Sequence, residues 1–353
     1  MRRNRAPVVL LYIGLVPLPE LKLIERLRRQ ARRPYRLANK LGDPIAGIGD
    51  DCAVLRGSDG YDLLVTTDFS LENVHFKRSW HPPESIGHRC LARGLSDIAA
   101  MGGEATAAFL SLGLPMGIPQ PWVDGFVRGF LALAKSHGVV LAGGDTADSP
   151  GGVVADVIVL GRVPRGQAVT RSGARPGDAI YLTGTLGGSG AVLQELRAGK
   201  KPNPRVAAKR VHFFPEPRLK VGQWLRQRRL ASAMIDLSDG LSTDLNHLCV
   251  ESGVSAKIRQ RSLPIASNAH ARGSPHRGAL DWGEDYELLF AAAADAKLPK
   301  QIAGVPVARI GEMIAATGRP KITIIAADGR PRELKPHGWQ HFQRQHFDGK
   351  QRG

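Results

Sequence analysis

The sequence GIGDDCAVL at residues 47–55 places two adjacent aspartates, Asp50 and Asp51, between a glycine-rich turn and an apolar run of strand type. Four other segments repeat this arrangement of an acid at the end of an apolar run or in a turn of small residues. They are LLVTTDFS with Asp68, LSDIAAMGG with Asp97, VVLAGGDTA with Asp145, and AMIDLSDG with Asp236 and Asp239. A turn or cap explains any one of these aspartates equally well. Capping alone does not explain five segments, so the sequence predicts that the carboxylates share a site.

Clustered carboxylates predict a cation, because burying them beside apolar neighbours is costly unless a positive charge compensates. Oxygen ligands favour Mg²⁺, which is commonly shared between carboxylates and substrate phosphates. The scarcity of His and Cys in these segments disfavours zinc. Flanking glycines permit close backbone approach to phosphates; they are Gly47, Gly49, Gly102, Gly103, Gly143 and Gly144. These features predict a magnesium-dependent phosphotransferase, and the absence of the P-loop and protein-kinase motifs excludes those two templates.

The remaining sequence predicts an α/β or α+β protein, because strand and helix patterns are mixed along the chain. Predicted strands lie at Cys52–Leu55, Leu63–Thr67, Ala107–Leu114, Val153–Val163, Ala179–Thr183, Ala233–Asp236, Leu288–Ala293 and Lys321–Ile325. Predicted helices lie at 20–33, Ser85–Met101, Pro121–His137, Ala191–Leu196 and Pro217–Leu230. A chain of 353 residues predicts two domains, and the turn-rich segment Pro164–Asp178 is the expected boundary. We therefore predict an extension at 1–19, domains at 20–165 and 166–345, and a tail at 346–353.

The net charge of +17 raises the hypothesis of nucleic-acid binding. Residues 1–40, 197–230 and 331–353 together carry more positive charge than the whole chain, so the segments with recognisable chemistry are net negative. The basic stretches also lack the interleaved aromatic residues that single-strand binders use. Nucleic acid is therefore not the expected partner.

The cysteines and the amino terminus indicate a reducing compartment. Three cysteines lie far apart with no C-x-x-C pair, which argues against a disulfide framework. Met1–Arg5 and Val8–Leu18 imitate a secretory signal, but prolines follow at once and no small-residue cleavage site appears. The apolar run is also too short to span a bilayer as a helix. We expect a cytoplasmic protein with no membrane contact.

Seven motifs, taken together, resemble the thiamine-monophosphate kinase family in sequence and in order. They are GIGDDCAVL, TTDFSLENVHF, LARGLSDIAAMGG, LAGGDTADS, TRSGARPGD, IDLSDGLSTDL and WGEDYELLF. This family belongs to the aminoimidazole ribonucleotide synthetase-like superfamily. The resemblance implies a two-domain fold whose amino-terminal sheets pair across a homodimer, and a carboxyl-terminal α/β domain. It implies direct in-line transfer of the ATP γ-phosphoryl group to thiamine monophosphate, with several Mg²⁺ ions and no phosphoenzyme.

Site residues follow from the resemblance position by position. The implied metal ligands are Asp51, Thr66, Thr67, Asp68, Asp97, Asp145, Asp236 and Asp239, and Asp68, Asp97, Asp145 and Asp239 are the implied catalytic residues. The implied nucleotide contacts are Gly144, Asp145, Arg171 and Ser238, and the implied substrate contacts are His75, Glu284 and Trp339. A guanidinium suits a polyphosphate, and an indole ring can stack on the cationic thiazolium of thiamine. Structural readings stay open: Arg171 as a pin for the interdomain turn, His75 as a hydrogen-bonded structural residue and Trp339 as simple packing.

One departure from the family pattern is Trp282, which stands before Gly283 where the family usually has a second glycine. The bulky side chain affects the expected shape of the substrate loop.

The sequence leaves two alternatives to the kinase. One is another synthetase of the superfamily, of selenophosphate or aminoimidazole ribonucleotide type, and the other is a basic nucleic-acid-binding relative without catalysis. Selenophosphate synthetases typically carry a reactive Cys or selenocysteine in a glycine-rich amino-terminal loop, and no cysteine here lies in such a loop. The acidic motifs are intact, which argues against the nucleic-acid-binding relative, so the kinase is favoured.

Overall fold

A computed structural model of the chain describes residues 18–31, 40–270 and 275–342. Its strands are β1 (Pro44–Ala46), β2 (Ala53–Arg56), β3 (Tyr61–Leu71), β4 (Glu104–Leu114), β5 (Val140–Asp148), β6 (Val154–Pro164), β7 (Ala179–Thr183), β8 (Ala233–Asp236), β9 (Val254–Arg259), β10 (Leu288–Ala292), β11 (Gln301–Ile302), β12 (Val305–Ala315), β13 (Ile322–Ile325) and β14 (Pro331–Leu334). Its helices are α1 (Glu20–Gln30), α2 (Pro83–Ala100), α3 (Gln120–Ser136), α4 (Gly188–Arg197), α5 (Ala207–Phe213), α6 (Leu219–Gln227), α7 (Leu241–Ser252), α8 (Ser267–His270) and α9 (Pro275–Asp281).

The first sheet has six strands in the order β1-β2-β3-β6-β4-β5. Adjacent strands of this sheet are antiparallel, except that β4 and β5 run parallel to each other. Helix α2 packs on β3, β4 and β6, and α3 packs on α2. Because strand side chains alternate, Thr66 and Asp68 share one face of β3, with buried Leu64, and Thr67 lies on the other. The alternation therefore separates the two adjacent threonines.

The second sheet is mixed and follows the order β14-β13-β9-β12-β7-β10-β8, with the short β11 beside β12. Only the β9–β13 pair is parallel among its described pairings. Strand β8 ends at Asp236, at the edge of this sheet. The end of β8 thus carries a carboxylate to a sheet edge, where loops from other elements meet it.

The two sheets share a hydrophobic core. One buried cluster includes α2 and α3 of the first half together with Leu225 of α6, Met234 of β8 and Phe290 of β10. A second cluster fills the other side of the second sheet, beneath α7, with Leu245 and Ile310 among its members. Residues of both sheets within 40–339 belong to one compact unit. The domain limits that we expect from the sequence at 20–165 and 166–345 stay predictions.

Most predicted elements of the described chain are confirmed. The strands at Ala179–Thr183 and Ala233–Asp236 are present with those bounds as β7 and β8. Strands β1, β5, β9, β11, β12 and β14 and helices α5, α7, α8 and α9 were not predicted. Helix α1 ends at Gln30, within the predicted 20–33 range, of which 32 and 33 lie outside the described residues. The helices of the described chain are too short or too polar to cross a membrane.

Candidate active site

Three carboxylates from distant segments meet at one place. Asp51 precedes β2, Asp97 lies in α2, and Asp236 ends β8, yet one ligand oxygen of each lies within 4.8 Å of the others. Asp51 is 7% exposed and Asp236 is 3% exposed. The sequence predicted that these acids share a site, and the fold brings these three of them together.

Two of the three carboxylates are oriented by hydroxyl groups. The Thr66 hydroxyl donates a hydrogen bond to Asp97 Oδ2 at 2.5 Å, and the Ser96 hydroxyl donates to Asp236 Oδ2 at 2.6 Å. Each pair joins an element of one sheet to a partner that is distant in sequence. The carboxylate orientations are therefore determined by tertiary contacts.

Asp51 is held differently, by an arginine from the segment between β6 and β7. Arg171 Nη2 donates to Asp51 Oδ1 at 2.5 Å, and its backbone N–H donates to Asp50 Oδ1 at 3.1 Å. Asp51 Oδ2 is buried and has no hydrogen-bond partner in the described part of the chain. A buried carboxylate oxygen is costly to leave unpaired, which is the condition that a bound cation relieves. The side chain of Arg171 thus pins the turn as well as neutralising Asp51.

The electrostatics of the group also favour a cation. Burial raises the pKa of Asp97 well above its ordinary value, and the negative charges of Asp68, Asp236 and Asp51 raise it further. Burial, followed by the charge of Asp51, raises the pKa of Asp236 to about 8. Four acids that oppose one another's ionisation need a multivalent positive charge to be ionised together at neutral pH. The donor set of hard oxygens fits Mg²⁺.

Two of the three predicted substrate residues, His75 and Glu284, lie against Arg89 of α2. Arg89 Nη2 donates to Glu284 Oε1 at 2.6 Å and to the backbone oxygen of His75 at 3.3 Å. Burial alone would raise the pKa of Glu284, but the charges of Arg89 and Arg93 outweigh burial and lower it to about 2. The Leu71 backbone N–H donates to His75 Nδ1 at 2.9 Å. Glu284 is thus a fixed carboxylate, and the ring of His75 is oriented through Nδ1.

The loop that carries Glu284 has a left-handed backbone, with φ of 63° at Glu284 and 50° at Tyr286. Gly283 is needed at its start, because a Cβ there would lie 2.2 Å from the Ser238 backbone oxygen. Trp282, the departure from the family pattern, packs tightly on Gly190 and joins a small apolar cluster. The indole is therefore accommodated by a glycine of α4.

Two further predicted residues lie near each other. The Trp339 backbone N–H donates to the backbone oxygen of Asp239 at 3.0 Å. The Asp239 N–H donates in turn to Asp244 Oδ2 at 3.1 Å, and Asp244 is buried in α7. Asp239 is not a member of the group formed by the three carboxylates. Its loop is shaped by Asp244, which the sequence did not single out.

Asp145 and Gly144 lie on β5, the exposed edge strand of the first sheet. A Cβ at Gly144 would lie 1.8 Å from the Leu110 backbone oxygen, so the strand pairing itself requires glycine there. Thr67, on the opposite face from Thr66, donates to Asp156 Oδ1 at 2.9 Å. The fold does not gather Asp145 or the Thr67 hydroxyl with the three carboxylates.

Sequence reasoning missed the two arginines of α2, Arg89 and Arg93. Both precede Asp97 at steps of four residues, a spacing that places all three on one face of a helix. That spacing was a usable signal in the sequence. Only the fold, however, reveals that this face meets Glu284 and Asp68.

Comparisons with known proteins agree with this geometry. The family pattern described as AIR synthase related protein, N-terminal domain, matches residues 49–163, and that of the corresponding C-terminal domain matches residues 175–322. The thiamine-monophosphate kinase of Salmonella typhimurium is 38% identical over 324 residues, covering 88% of this chain and 96% of that protein.

Solved structures give the same result. A structure described as AaThiL complexed with AMPPCP and TMP has a TM-score of 0.78 and 30% identity, and covers 92% of this chain and 97% of its own. The thiamine-monophosphate kinase of Stenotrophomonas maltophilia K279a has a TM-score of 0.68 and 34% identity, covering 87% and 96%. The fold and its carboxylate site thus define an AIR synthase related protein. Within that class, the chain belongs to the thiamine-monophosphate kinase family.

Proposed function

We propose that this chain catalyses ATP-dependent phosphorylation of thiamine monophosphate, giving thiamine diphosphate and ADP by direct in-line transfer. The observation that carries the proposal is the convergence of Asp51, Asp97 and Asp236, with one buried carboxylate oxygen unpaired, in a chain of this family. The names of the relatives and the ligands named with the AaThiL structure support the choice of substrates.

Several Mg²⁺ ions are part of the proposal. Asp51, Asp97 and Asp236 are the central ligands, and the remaining proposed ligands are Thr66, Thr67, Asp68, Asp145 and Asp239. Bound Mg²⁺ would neutralise charge on the polyphosphate oxygens. The protein's own contribution is to hold the carboxylates ready: Thr66 and Ser96 orient two of them, and Arg171 balances the third.

Separate residues are proposed for the nucleotide and for the acceptor. Gly144, Asp145, Arg171 and Ser238 are proposed to contact ATP. His75, Glu284 and Trp339 are proposed to contact thiamine monophosphate. The ionised Glu284, fixed by Arg89, offers a negative charge to the thiazolium cation, and the Trp339 indole offers a ring face. A homodimer and a cytoplasmic location complete the proposal.

A three-component assay tests the function. Purified protein with ATP and Mg²⁺ receives thiamine monophosphate, and thiamine diphosphate and ADP are measured by chromatography. Free thiamine serves as the control acceptor, because it offers a hydroxyl in place of a phosphate. We expect product only with the phosphorylated acceptor. Absence of product above the blank would refute the substrate assignment and leave another synthetase activity of the superfamily as the alternative.

A further inference from the structure

Arg93 occupies the middle of a charged stripe on α2. Arg89, Arg93 and Asp97 follow one another at intervals of four residues, so they lie on one helix face with a rise of about 6 Å per step. Arg89 contacts Glu284 at one end of the stripe, and Asp97 belongs to the carboxylate group at the other. Arg93 therefore lies between the proposed thiamine position and the proposed metal position.

The guanidinium of Arg93 is held on two sides. Its Nη1 donates to the Phe69 backbone oxygen at 2.7 Å, next to Asp68 on β3. Its Nε donates to the Tyr286 hydroxyl at 3.2 Å, in the loop that carries Glu284. The side chain is only 16% exposed. These contacts fix the direction in which the remaining nitrogen points, so little ordering is needed when a ligand binds.

The remaining nitrogen, Nη2, has donor capacity left. It lies 4.0 Å from Glu284 Oε1, outside hydrogen-bond distance, whereas Arg89 contacts the same oxygen at 2.6 Å. This nitrogen donates no hydrogen bond within residues 18–31, 40–270 and 275–342. Glu284 is thus paired mainly with Arg89. Arg93 is a buried positive charge to which the proposed function assigns no ligand.

We propose that Arg93 binds the phosphate group of the acceptor and makes that phosphate a requirement of the site. This inference rests on the proposed function. A guanidinium is suited to phosphate oxygens, and a phosphate placed here lies one helical turn from Asp97. In the transfer, an oxygen of the acceptor phosphate forms a bond to the γ-phosphorus. The bond from that phosphorus to the β,γ-bridging oxygen breaks, and its electron pair leaves with ADP.

The test separates phosphate binding from mere support of the loop. Arg93→Gln and wild type are titrated calorimetrically with thiamine monophosphate and with free thiamine, in Mg²⁺ and the non-transferring analogue β,γ-methylene-ATP. We expect the affinity for thiamine monophosphate to fall about 10- to 100-fold, because a charge-assisted contact is lost. The affinity for free thiamine should change less than about 3-fold, since the thiazolium contacts remain.

Two variants complete the design. Arg128→Gln removes an exposed arginine of α3 that pairs with Glu84, and should change neither affinity. Arg93→Lys keeps the charge without the planar fork, and should give a smaller loss, again confined to thiamine monophosphate. It also serves if Arg93→Gln fails to fold.

The affinity losses of the Arg93 variants distinguish phosphate binding from a structural role. Equal losses for both ligands would overturn the proposal in favour of a loop-positioning role for Arg93, and no loss would overturn it outright. The wild-type product assay tests the proposed function independently of the role of Arg93. If wild type forms thiamine diphosphate, the proposed function stands whatever the Arg93 variants show. If wild type forms none, both proposals fall.

Discussion

The clustering of Asp51, Asp97 and Asp236 predicts that a substitution of Asp236 makes the metal-free protein more stable and yet inactive. Asp236 is 3% exposed, and its pKa is raised from 3.8 to about 8 by burial and by Asp51. In Asp236→Asn the amide can still accept the Ser96 hydroxyl, which donates at 2.6 Å in wild type. The substitution therefore removes a buried charge with little change of shape.

The magnitude and sign follow from proton linkage. The raised pKa means that the folded state binds more protons than the unfolded state from pH 3.8 up to about pH 8, so the metal-free protein loses stability across that window as pH rises. The full shift corresponds to about 6 kcal/mol, which is an upper limit. Because the amide also loses hydration on burial, we expect Asp236→Asn to gain about 2 to 5 kcal/mol at pH 8.

Thermal unfolding in EDTA and in MgCl₂ measures this effect. In EDTA at pH 8, a chain of this length should gain about 1.3 °C of Tm per kcal/mol, so the variant should melt about 3 to 7 °C above wild type. At pH 5 most of the gain should vanish. With Mg²⁺, wild type should gain Tm as the ion binds the folded state, and the variant should gain much less. Turnover should be lost.

Asp62→Asn is the matched control. Asp62 is also buried, at 1% exposed, but its carboxylate accepts from Arg56 at 2.9 Å and from the Gly166 N–H at 2.8 Å. Loss of that charge should destabilise the protein by about 1 to 3 kcal/mol, with the Mg²⁺ response intact. Destabilisation of metal-free Asp236→Asn at pH 8, together with an unchanged Mg²⁺ shift, would refute the reasoning.

Three other predictions follow from the same contacts. Asp68→Asn should lower kcat more than about 100-fold with an unchanged circular dichroism spectrum, and near-normal kcat would remove Asp68 from the metal set. Arg171→Gln leaves Asp51 buried beside no cation, and should cost about 3 to 5 kcal/mol in urea unfolding without Mg²⁺; a cost below about 1 kcal/mol would contradict the pinning role. Size-exclusion chromatography with light scattering should give a dimer, and a monomer at micromolar concentration would contradict the proposed pairing of the first sheets.

The sequence predicted the local elements well where composition was uniform. The runs at β7 and β8 are continuous and mostly apolar, and β8 ends at the charged Asp236, so their bounds could be read directly. Strand β12 was missed because VPVARIGEMIA interrupts its apolar residues with charges and a glycine. Strand β5 was missed because LAGGDTAD has weak strand propensity and is held by its pairing with β4. Strand pairing across the sheet outweighs local preference in both cases.

The sequence by itself predicted that acids at the ends of apolar runs share a site and that a cation binds there, because burial of each acid would otherwise be unfavourable. The family motifs also indicate Glu284, His75 and Arg171 as site residues from sequence alone. Tertiary structure alone decided which acids lie close enough to share a cation, and which arginine pairs with Asp51 and with Glu284. Those contacts join segments that are distant in sequence. Arg89 of α2 and Glu284, for example, are 195 residues apart along the chain. Local pattern carries the chemistry of a side chain, but only packing determines which other side chain it meets.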